Sequence, residues 1–241
     1  MNVLIVHAHP EPQSFCTAMK DLAVATLGGA GHVVQVSDLY AMAWNPVASA
    51  TDFPQRSNPE YLVYALEQRD AVKRGDIAAD IAAELEKLLW ADLVIFNFPL
   101  FWCSVPAILK GWIDRVMVSG TCYGGLRFYD RGGLAGKRAL LSFSLGGQPH
   151  MFADEDAVHG DWEPMLRPLQ RGTLAYVGMS VLPPFAAYHV PYVSQEARED
   201  ILRRFGDYLL QLEFAEPLTF PSLADFDRGL NPLTSQAQVP A

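Results

Sequence analysis

Short apolar runs alternate along the chain with longer segments in which apolar residues recur at helical spacing. Apolar runs of this length, bounded by turn residues, are typical of the buried strands of a parallel sheet. The predicted strands cover residues 1–7, 33–36, 92–98, 138–145 and 180–183. The predicted helices cover residues 15–27, most of 60–90, 106–118, 161–176 and 194–212. This alternation of strands and helices predicts an α/β fold with a parallel sheet.

The order of these elements predicts one doubly wound domain with a five-stranded parallel sheet of flavodoxin-like strand order. We assign residues 1–214 to this domain and the proline-rich residues 215–241 to an extended C-terminal tail. Residues 41–58 lack periodicity and are predicted to form a long surface excursion. In a doubly wound sheet, ligands bind at the carboxyl ends of the strands. Three loops should therefore meet there, at residues 9–14, 99–105 and 144–160.

Composition narrows the classes of protein that this chain can belong to. Half of its 241 residues are hydrophobic and 19% are charged, which excludes a disordered chain. The formal net charge of −9 argues against a nucleic-acid binder, which needs a basic surface. Three cysteines without C-x-x-C spacing predict neither a disulfide framework nor a metal site. With no secretory signal and no apolar run near the ~18–20 residues of a membrane helix, we expect a cytoplasmic protein without membrane insertion.

The first of the three loops leads directly into the first predicted helix. Neither a dinucleotide-binding G-x-G-x-x-G nor a P-loop pattern occurs in the sequence. The start of a helix has unpaired N–H groups and a positive dipole end, which suits a phosphate or pyrophosphate, with His9 and Ser14 as further donors. Alternatively, Ser14 only caps the helix and His9 makes a loop hydrogen bond. Local chemistry does not separate these two interpretations.

The other two loops carry aromatic residues and glycines. Phe101 and Trp102 follow a predicted strand and could form a wall for a flat ring, although packing in the core would also explain them. Gly146 and Gly147 let the backbone approach a ligand closely, and His159 could neutralise or protonate a developing anion. A lone histidine is also common as an ordinary loop residue. A phosphate-binding helix end, an aromatic wall and glycine N–H donors together favour a flavin site.

Several long motifs occur in a characteristic order: LIVHAHPEPQSFCTAMK, VSDLYAMAWNPVAS, ADLVIFNFPLFWCSVPAILKGWIDRV, FYDRGGLAGKRALLS, the Gly146–Gly147 pair and Val158–Asp161. Over residues 3–226, the chain resembles the NAD(P)H:quinone oxidoreductase (DT-diaphorase) family. Members of this family are homodimers of flavodoxin-like subunits that hold FAD non-covalently. They pass two electrons from NAD(P)H to a quinone by a ping-pong route. The resemblance therefore implies FAD in preference to FMN, NAD(P)H as co-substrate, and a homodimer.

Carried over position by position, the resemblance assigns roles to individual residues. It implies that the catalytic residues are His159, Gly146 and Gly147. It implies that the cofactor-binding residues are His9, Ser14, Phe15, Cys16, Pro99, Leu100, Phe101, Trp102, Cys103, Ser144, Leu145, Gly146, Gly147, Phe152 and Arg198, with Arg198 beside the adenosine part. It implies that the quinone pocket is lined by Trp102, Tyr123, Gly125, Phe128 and Tyr176.

The chain departs from the family pattern at several of these positions. Phe152 stands where the family's charge relay has a tyrosine, so a phenolic proton is absent there. Gly125 replaces an aromatic residue and should enlarge the acceptor site, and Phe101 and Cys103 alter the stacking wall. Three rival functions are a regulatory flavoprotein subunit of a potassium-efflux system, a nitro, azo or flavin reductase, and a one-electron flavodoxin-type carrier. The aromatic pocket and the long excursion argue against the carrier, which needs an exposed flavin edge.

Overall fold

The computed structural model describes residues 1–233. The strands of this part of the chain are β1 (Asn2–His7), β2 (Val33–Asp38), β3 (Leu93–Pro99), β4 (Arg138–Ser144), β5 (Ser180–Val181) and β6 (Phe185–Ala187). Its α-helices are α1 (Phe15–Gly29), α2 (Tyr64–Arg74), α3 (Ala79–Trp90), α4 (Ala107–Val116), α5 (Trp162–Leu169) and α6 (Gln195–Leu210). The strands pair in parallel in the order β2-β1-β3-β4-β5, and β6 pairs with β4 as well. The prediction of a doubly wound α/β fold is confirmed.

Helices cover both faces of the sheet, and alternate residues of β1 show how the two layers form. Val3 and Ile5 belong to a buried cluster with residues of α1 and α6. Leu4 and Val6 belong to a second cluster with residues of α3 and α4. β3 is buried at every position. A central strand covered on both faces has no need for polar alternation, which explains the continuous apolar run in the sequence.

The fifth position of the sheet is divided between two short strands. Both β5 and β6 pair with β4, and Pro183 and Pro184 lie between them. Proline lacks the N–H group that a strand ladder requires, so pairing stops after Val181 and resumes at Phe185. The predicted strand over residues 180–183 is therefore wrong in its extent, although its position in the sheet is right.

The helical stretch predicted within residues 60–90 is two helices, because Gly75 ends α2 in the left-handed conformation with φ at 75°, where glycine carries no steric penalty. The predicted helix over residues 161–176 is α5 followed by a π-helical segment, Gln170–Ala175. Such wider turns are uncommon and occur often near functional sites.

The long excursion at residues 41–58 is anchored by a buried ion pair. Arg115 Nη2 lies 2.8 Å from Asp52 Oδ1, and both side chains are almost fully buried. The same guanidinium lies over the ring of Trp44, with Cζ 4.7 Å from the centroid, a cation–π arrangement. This segment is therefore fixed to α4 by charged groups that the apolar pattern does not reveal.

The segment that follows α6 packs along the far edge of the sheet. The Leu218 N–H donates to the Val181 carbonyl at 2.8 Å. Asp130 accepts hydrogen bonds from the Ser222 hydroxyl at 2.7 Å and from the Leu223 N–H at 3.0 Å. The division between residues 1–214 and 215–241 stays a prediction, and residues 234–241 lie outside the described part. Within residues 1–233, no helix has the length and apolar character needed to cross a bilayer.

Candidate functional site

A cavity of about 610 Å³ opens at the carboxyl ends of β1, β3, β4 and β6. Its size falls within the roughly 300–1,000 Å³ of ordinary ligand pockets. The lining residues are His9, Gln13, Ser14, Phe15, Cys16, Ala18, Pro99, Leu100, Phe101, Ser144, Leu145, Gly146, Val190, Pro191, Gln195, Arg198 and Leu202. All three predicted loops contribute to this lining, as the strand-end rule requires.

The start of α1 combines a capped helix with free donors. The Ser14 hydroxyl accepts from the Thr17 N–H at 3.0 Å, and His9 Nδ1 accepts from the Glu11 N–H at 3.0 Å. Both contacts of the purely structural alternative are therefore present, while both residues also line the cavity. In the described part of the chain, the N–H groups of Phe15 and Cys16 have no acceptor. Two first-turn donors thus stay available for a ligand anion.

The ring of His9 is set up as a neutral donor. Burial lowers the pKa of this imidazole, which outweighs the opposing effect of Glu11. Because Nδ1 accepts a backbone N–H, the single proton of the neutral ring sits on Nε2. His9 can therefore donate one hydrogen bond without bringing a full positive charge.

A buried polar network lies directly beneath this helix start. His7 Nδ1 donates to Asn97 Oδ1 at 2.7 Å, and the thiol of Cys16 donates to the same oxygen at 3.3 Å. Asn97 Nδ2 donates to the Ser142 hydroxyl at 3.1 Å, and the Thr17 hydroxyl lies 3.3 Å from His7 Nε2. Burial raises the pKa of the Cys16 thiol to about 12, so the sulfur is a protonated hydrogen-bond donor and no nucleophile.

The loop after β3 turns back on itself within four residues. The N–H groups and carbonyls of Phe101 and Ser104 pair reciprocally at 3.0 Å. The two central residues, Trp102 and Cys103, both have positive φ angles, 52° and 57°. This is the backbone of a tight type I′ turn. Pro99, Leu100 and Phe101 line the cavity, whereas Trp102 stands at the tip with its side chain 100% exposed.

The loop after β4 places one layer of residues at the cavity and a second layer behind it. Leu145 and Gly146 line the cavity. Gly147 packs against Phe152, because a Cβ at Gly147 would lie 2.6 Å from Cε2 of that ring. The Phe152 ring stacks on Trp162 with centroids 4.2 Å apart and an interplanar angle of 10°. The exposed His159 ring is 4.8 Å from Phe152, and neither Gly147, Phe152 nor His159 lines the cavity.

Arg198 closes the cavity from α6. Its Nε donates to the Val190 carbonyl at 3.4 Å. Gln195 and Leu202, three residues before and four residues after Arg198, line the cavity on the same helix face. Of the lining residues, Arg198 is the one with a full charge, and none is acidic. In a chain of net charge −9, this concentrates positive potential where a ligand would sit.

Six lining residues were not predicted: Gln13, Ala18, Val190, Pro191, Gln195 and Leu202. Two signals could have found most of them. Helical spacing from Arg198 gives Gln195 and Leu202, and the strand-end rule applied to the fifth sheet position gives Val190 and Pro191.

The predicted substrate residues form a separate aromatic cluster. The rings of Phe128 and Tyr176 are stacked with centroids 5.7 Å apart and an interplanar angle of 8°, and Tyr123 lies 5.7 Å from Tyr176. Gly125 lies in the connecting turn with φ at 63°. None of these residues, and neither Trp102 nor Cys103, belongs to the cavity lining of a single chain. Residues 1–233 also contain no cluster of side chains suited to hold a metal ion.

Comparison with known proteins finds similarity along nearly the whole chain. Residues 1–209 match the model of a protein family described as having a flavodoxin-like fold. Ribosyldihydronicotinamide dehydrogenase (quinone) of Homo sapiens is 44% identical over 217 residues, which are 90% of this chain and 94% of that protein. NAD(P)H dehydrogenase (quinone) 1 of Rattus norvegicus is 42% identical over 225 residues, 93% of this chain and 82% of that protein. The solved structure of a candidate quinone reductase from Klebsiella pneumoniae has a TM-score of 0.92 and 38% identity, covering 100% of this chain and 97% of its own.

Proposed function

Because this chain belongs to the NAD(P)H:quinone oxidoreductase family of flavodoxin-like proteins, we propose that it transfers two electrons from NAD(P)H through bound FAD to a quinone. The observation that carries the proposal is the cavity at the strand ends. It joins free helix N–H donors, a neutral histidine donor and one arginine, and its lining contains no carboxylate.

The residues present fit the chemical parts of a flavin dinucleotide. The free N–H groups of Phe15 and Cys16 suit a pyrophosphate without any need for net positive charge on the protein. Arg198 supplies a cation at the α6 side. Leu100 and Phe101 offer an apolar surface to a flat ring. The site can therefore hold an anionic cofactor in a protein that is acidic as a whole.

When bound, the flavin supplies the redox chemistry, since its ring accepts a hydride from a dihydronicotinamide and passes it to a quinone. The chain contributes donors and orientation. The N–H of Gly146 faces no acceptor in the described part of the chain and can stabilise negative charge that develops on the ring. Removal of one preorganised donor of this kind typically slows a reaction on the order of 10²–10³-fold.

Proton handling is assigned to His159. Phe152 has no phenolic proton to give, but its ring holds the His159 imidazole at 4.8 Å. We expect His159→Gln to slow reduction of the flavin by NAD(P)H while the flavin stays bound, because the variant keeps the loop and loses the titratable ring. Stopped-flow reduction at the wild-type rate would contradict this role.

The functional unit is a homodimer in this proposal. Trp102 is fully exposed and Phe101 is 46% exposed beside the cavity, while Tyr123, Phe128 and Tyr176 lie outside its lining. A second copy would cover the exposed aromatic residues. Sedimentation equilibrium on the purified protein tests this, and a monomer at micromolar concentration would refute it.

A second candidate concerns the electron donor. The 44% identical relative is named for ribosyldihydronicotinamide, which lacks the adenine nucleotide half of NAD(P)H. The cavity lining has one charged residue, Arg198, so a second cation for the phosphates of NAD(P)H is not evident in that lining. Steady-state rates with NADH, NADPH and dihydronicotinamide riboside at equal concentrations decide between these donors.

The main experiment starts from the purified protein. Denaturation and chromatography of the released flavin should give FAD, and initial rates at varied donor and quinone should give the parallel double-reciprocal lines of a ping-pong route. Protein without flavin, or flavin that no dihydronicotinamide reduces, would overturn the proposal. Faster reduction of nitro or azo compounds than of quinones would favour the reductase alternative, and a stable half-reduced flavin would favour the one-electron carrier.

A further inference from the structure

Two residues after β6 hold three successive carbonyls of the loop after β4. The Val190 N–H donates to the Leu145 carbonyl at 3.1 Å, and the His189 N–H donates to the Gly147 carbonyl at 2.9 Å. The carbonyl between them, that of Gly146, lies 2.9 Å from His189 Nδ1. A carbonyl oxygen can only accept, so the imidazole donates here from a protonated Nδ1.

Because a peptide bond is planar, these contacts also determine where the N–H groups of Gly146 and Gly147 point. In a planar trans peptide, the carbonyl of one residue and the N–H of the next point in opposite directions, and the described chain has no cis peptide. Carbonyls of Leu145 and Gly146 that are held toward residues 189–190 therefore aim the N–H groups of Gly146 and Gly147 away from them. Within residues 1–233, neither of these N–H groups has an acceptor.

The side chain of His189 restricts rotation of the Gly146–Gly147 peptide, which glycine residues themselves do not restrict. A peptide between two glycines lacks the Cβ atoms that limit rotation, so the Gly146–Gly147 unit would be free to flip without a contact on its carbonyl. The neighbouring peptides are fixed by backbone contacts from residues 189–190. The Gly146 carbonyl alone is held by a side chain.

The backbone at His189 is unfavourable for this residue type. Its φ is 56°, in the left-handed region, which is strained for a residue with a Cβ. Strained conformations of this kind persist where surrounding contacts fix them and concentrate at functional sites. Tyr192 supports the arrangement, with its ring centroid 5.0 Å from that of His189.

We propose that His189 is a positioning residue that fixes the Gly146–Gly147 peptide, so that the Gly147 N–H, next to that of Gly146, faces the electron-rich carbonyl and nitrogen edge of the flavin ring. The inference rests on the proposed function, since it concerns the same cavity. Reduced flavin carries more negative charge on that edge than oxidised flavin, so fixed donors bind the reduced form more tightly. Loss of the His189 contact lowers the midpoint potential.

Three variants separate the hydrogen bond from the backbone strain. His189→Gly removes the ring and relieves the positive φ, which offsets part of the stability lost with the ring contacts. His189→Asn keeps a side-chain N–H donor and tolerates the left-handed region. His150→Ala is the matched control, because this exposed histidine lies three residues after Gly147 in the loop after β4 and its side chain has no hydrogen-bond partner in the described part of the chain.

We expect His189→Gly to lose about tenfold of the preference for reduced over oxidised flavin, which is a fall of about 30 mV for a two-electron couple. His189→Asn and His150→Ala should stay within threefold of the wild type. In the flavin-free protein, the ¹H–¹⁵N resonances of Gly146 and Gly147 should shift or broaden in the glycine variant and return in the asparagine variant.

Equal potentials and unchanged amide resonances in wild type and His189→Gly would overturn the inference. Failure of asparagine to restore both readouts would overturn it too, since the hydrogen bond would then not be the cause. A wild-type protein that binds no flavin would contradict the proposed function instead. The amide measurement on flavin-free protein would still report on the His189 contact itself.

Discussion

Substitution of Gly147 by alanine tests whether the loop after β4 is packed as the structure shows. An ideal Cβ at this position would lie 2.6 Å from Cε2 of Phe152, whereas ordinary contacts begin at 3.4 Å. The Phe152 ring must therefore retreat by about 0.8 Å, the difference between those distances. The ring is confined by Trp162, which stacks on its face at 4.2 Å and donates its ring N–H to the Tyr188 hydroxyl.

The expected loss of stability follows from this confinement of the Phe152 ring. Added volume in a close-packed region destabilises by about 1–3 kcal/mol. The substitution also restricts the unfolded chain, which returns about 0.4–1 kcal/mol. The net destabilisation should therefore be about 1–2 kcal/mol. In a domain of this size, each kcal/mol lowers the melting temperature by roughly 2–4 °C.

Thermal unfolding of matched variants measures this effect. Gly146→Ala is the control, because a Cβ there meets only Tyr192 at 3.7 Å, an ordinary contact, and should leave the melting temperature unchanged or slightly raised. Phe152→Leu in the Gly147→Ala background should recover about 1 kcal/mol relative to the sum of the single changes. If both alanine variants melt at the wild-type temperature, or if the double variant is additive, the packing of Phe152 on Gly147 has been misjudged.

Three further changes test other parts of the molecule. Arg115→Met should lower the free energy of unfolding in urea by about 3–5 kcal/mol, because it leaves the buried Asp52 carboxylate without its cationic partner. Lys110→Met, at an exposed ion pair, is the control and should change the free energy of unfolding by less than about 0.5 kcal/mol. Burial lowers the pKa of His7, so its contribution to stability is complete above about pH 6.5 and is lost as the pH falls through the lowered native pKa. Below pH 6.5, the free energy of unfolding should therefore fall by up to about 1.4 kcal/mol per pH unit more in the wild type than in His7→Gln. Parallel curves of unfolding free energy against pH would refute this. Cys103→Gly should stabilise the free chain by about 0.5–1 kcal/mol, because φ at 57° strains any residue with a Cβ, and a lower urea midpoint would contradict it.

Much of the architecture could be predicted because it follows from local pattern. The apolar run of β3 and the helical spacing of α1 needed no knowledge of distant residues. Their places relative to one another followed from the short connections and right-handed crossovers of α/β proteins. Since a parallel sheet brings its strand ends together, the convergence of three loops on one cavity was predictable as well.

The position of Trp102 could not be predicted in the same way. Two neighbouring aromatic residues after a strand suggest a wall for a ring, but which of them faces the cavity depends on the backbone of the turn. Here Trp102 and Cys103 both adopt positive φ, which residues other than glycine, asparagine and aspartate rarely do. The reciprocal pairing of Phe101 with Ser104 fixes this turn, and no propensity of the residue types indicates it.

The buried polar residues show a signal that strand alignment could have supplied. His7, Asn97 and Ser142 occupy one row across three neighbouring strands, since His7 pairs in register with Asn97 and Asn97 with Ser142. Read one strand at a time, each looks like a polar interruption of an apolar run. Compared across the sheet, they form a line of hydrogen-bonding groups, and Thr17 and Cys16 of α1 form hydrogen bonds with it. Because buried polar groups are costly unless they are paired, this row ties the first turn of α1 to the sheet. The proposed anion donors of that turn are thereby held in place by residues that do not line the cavity.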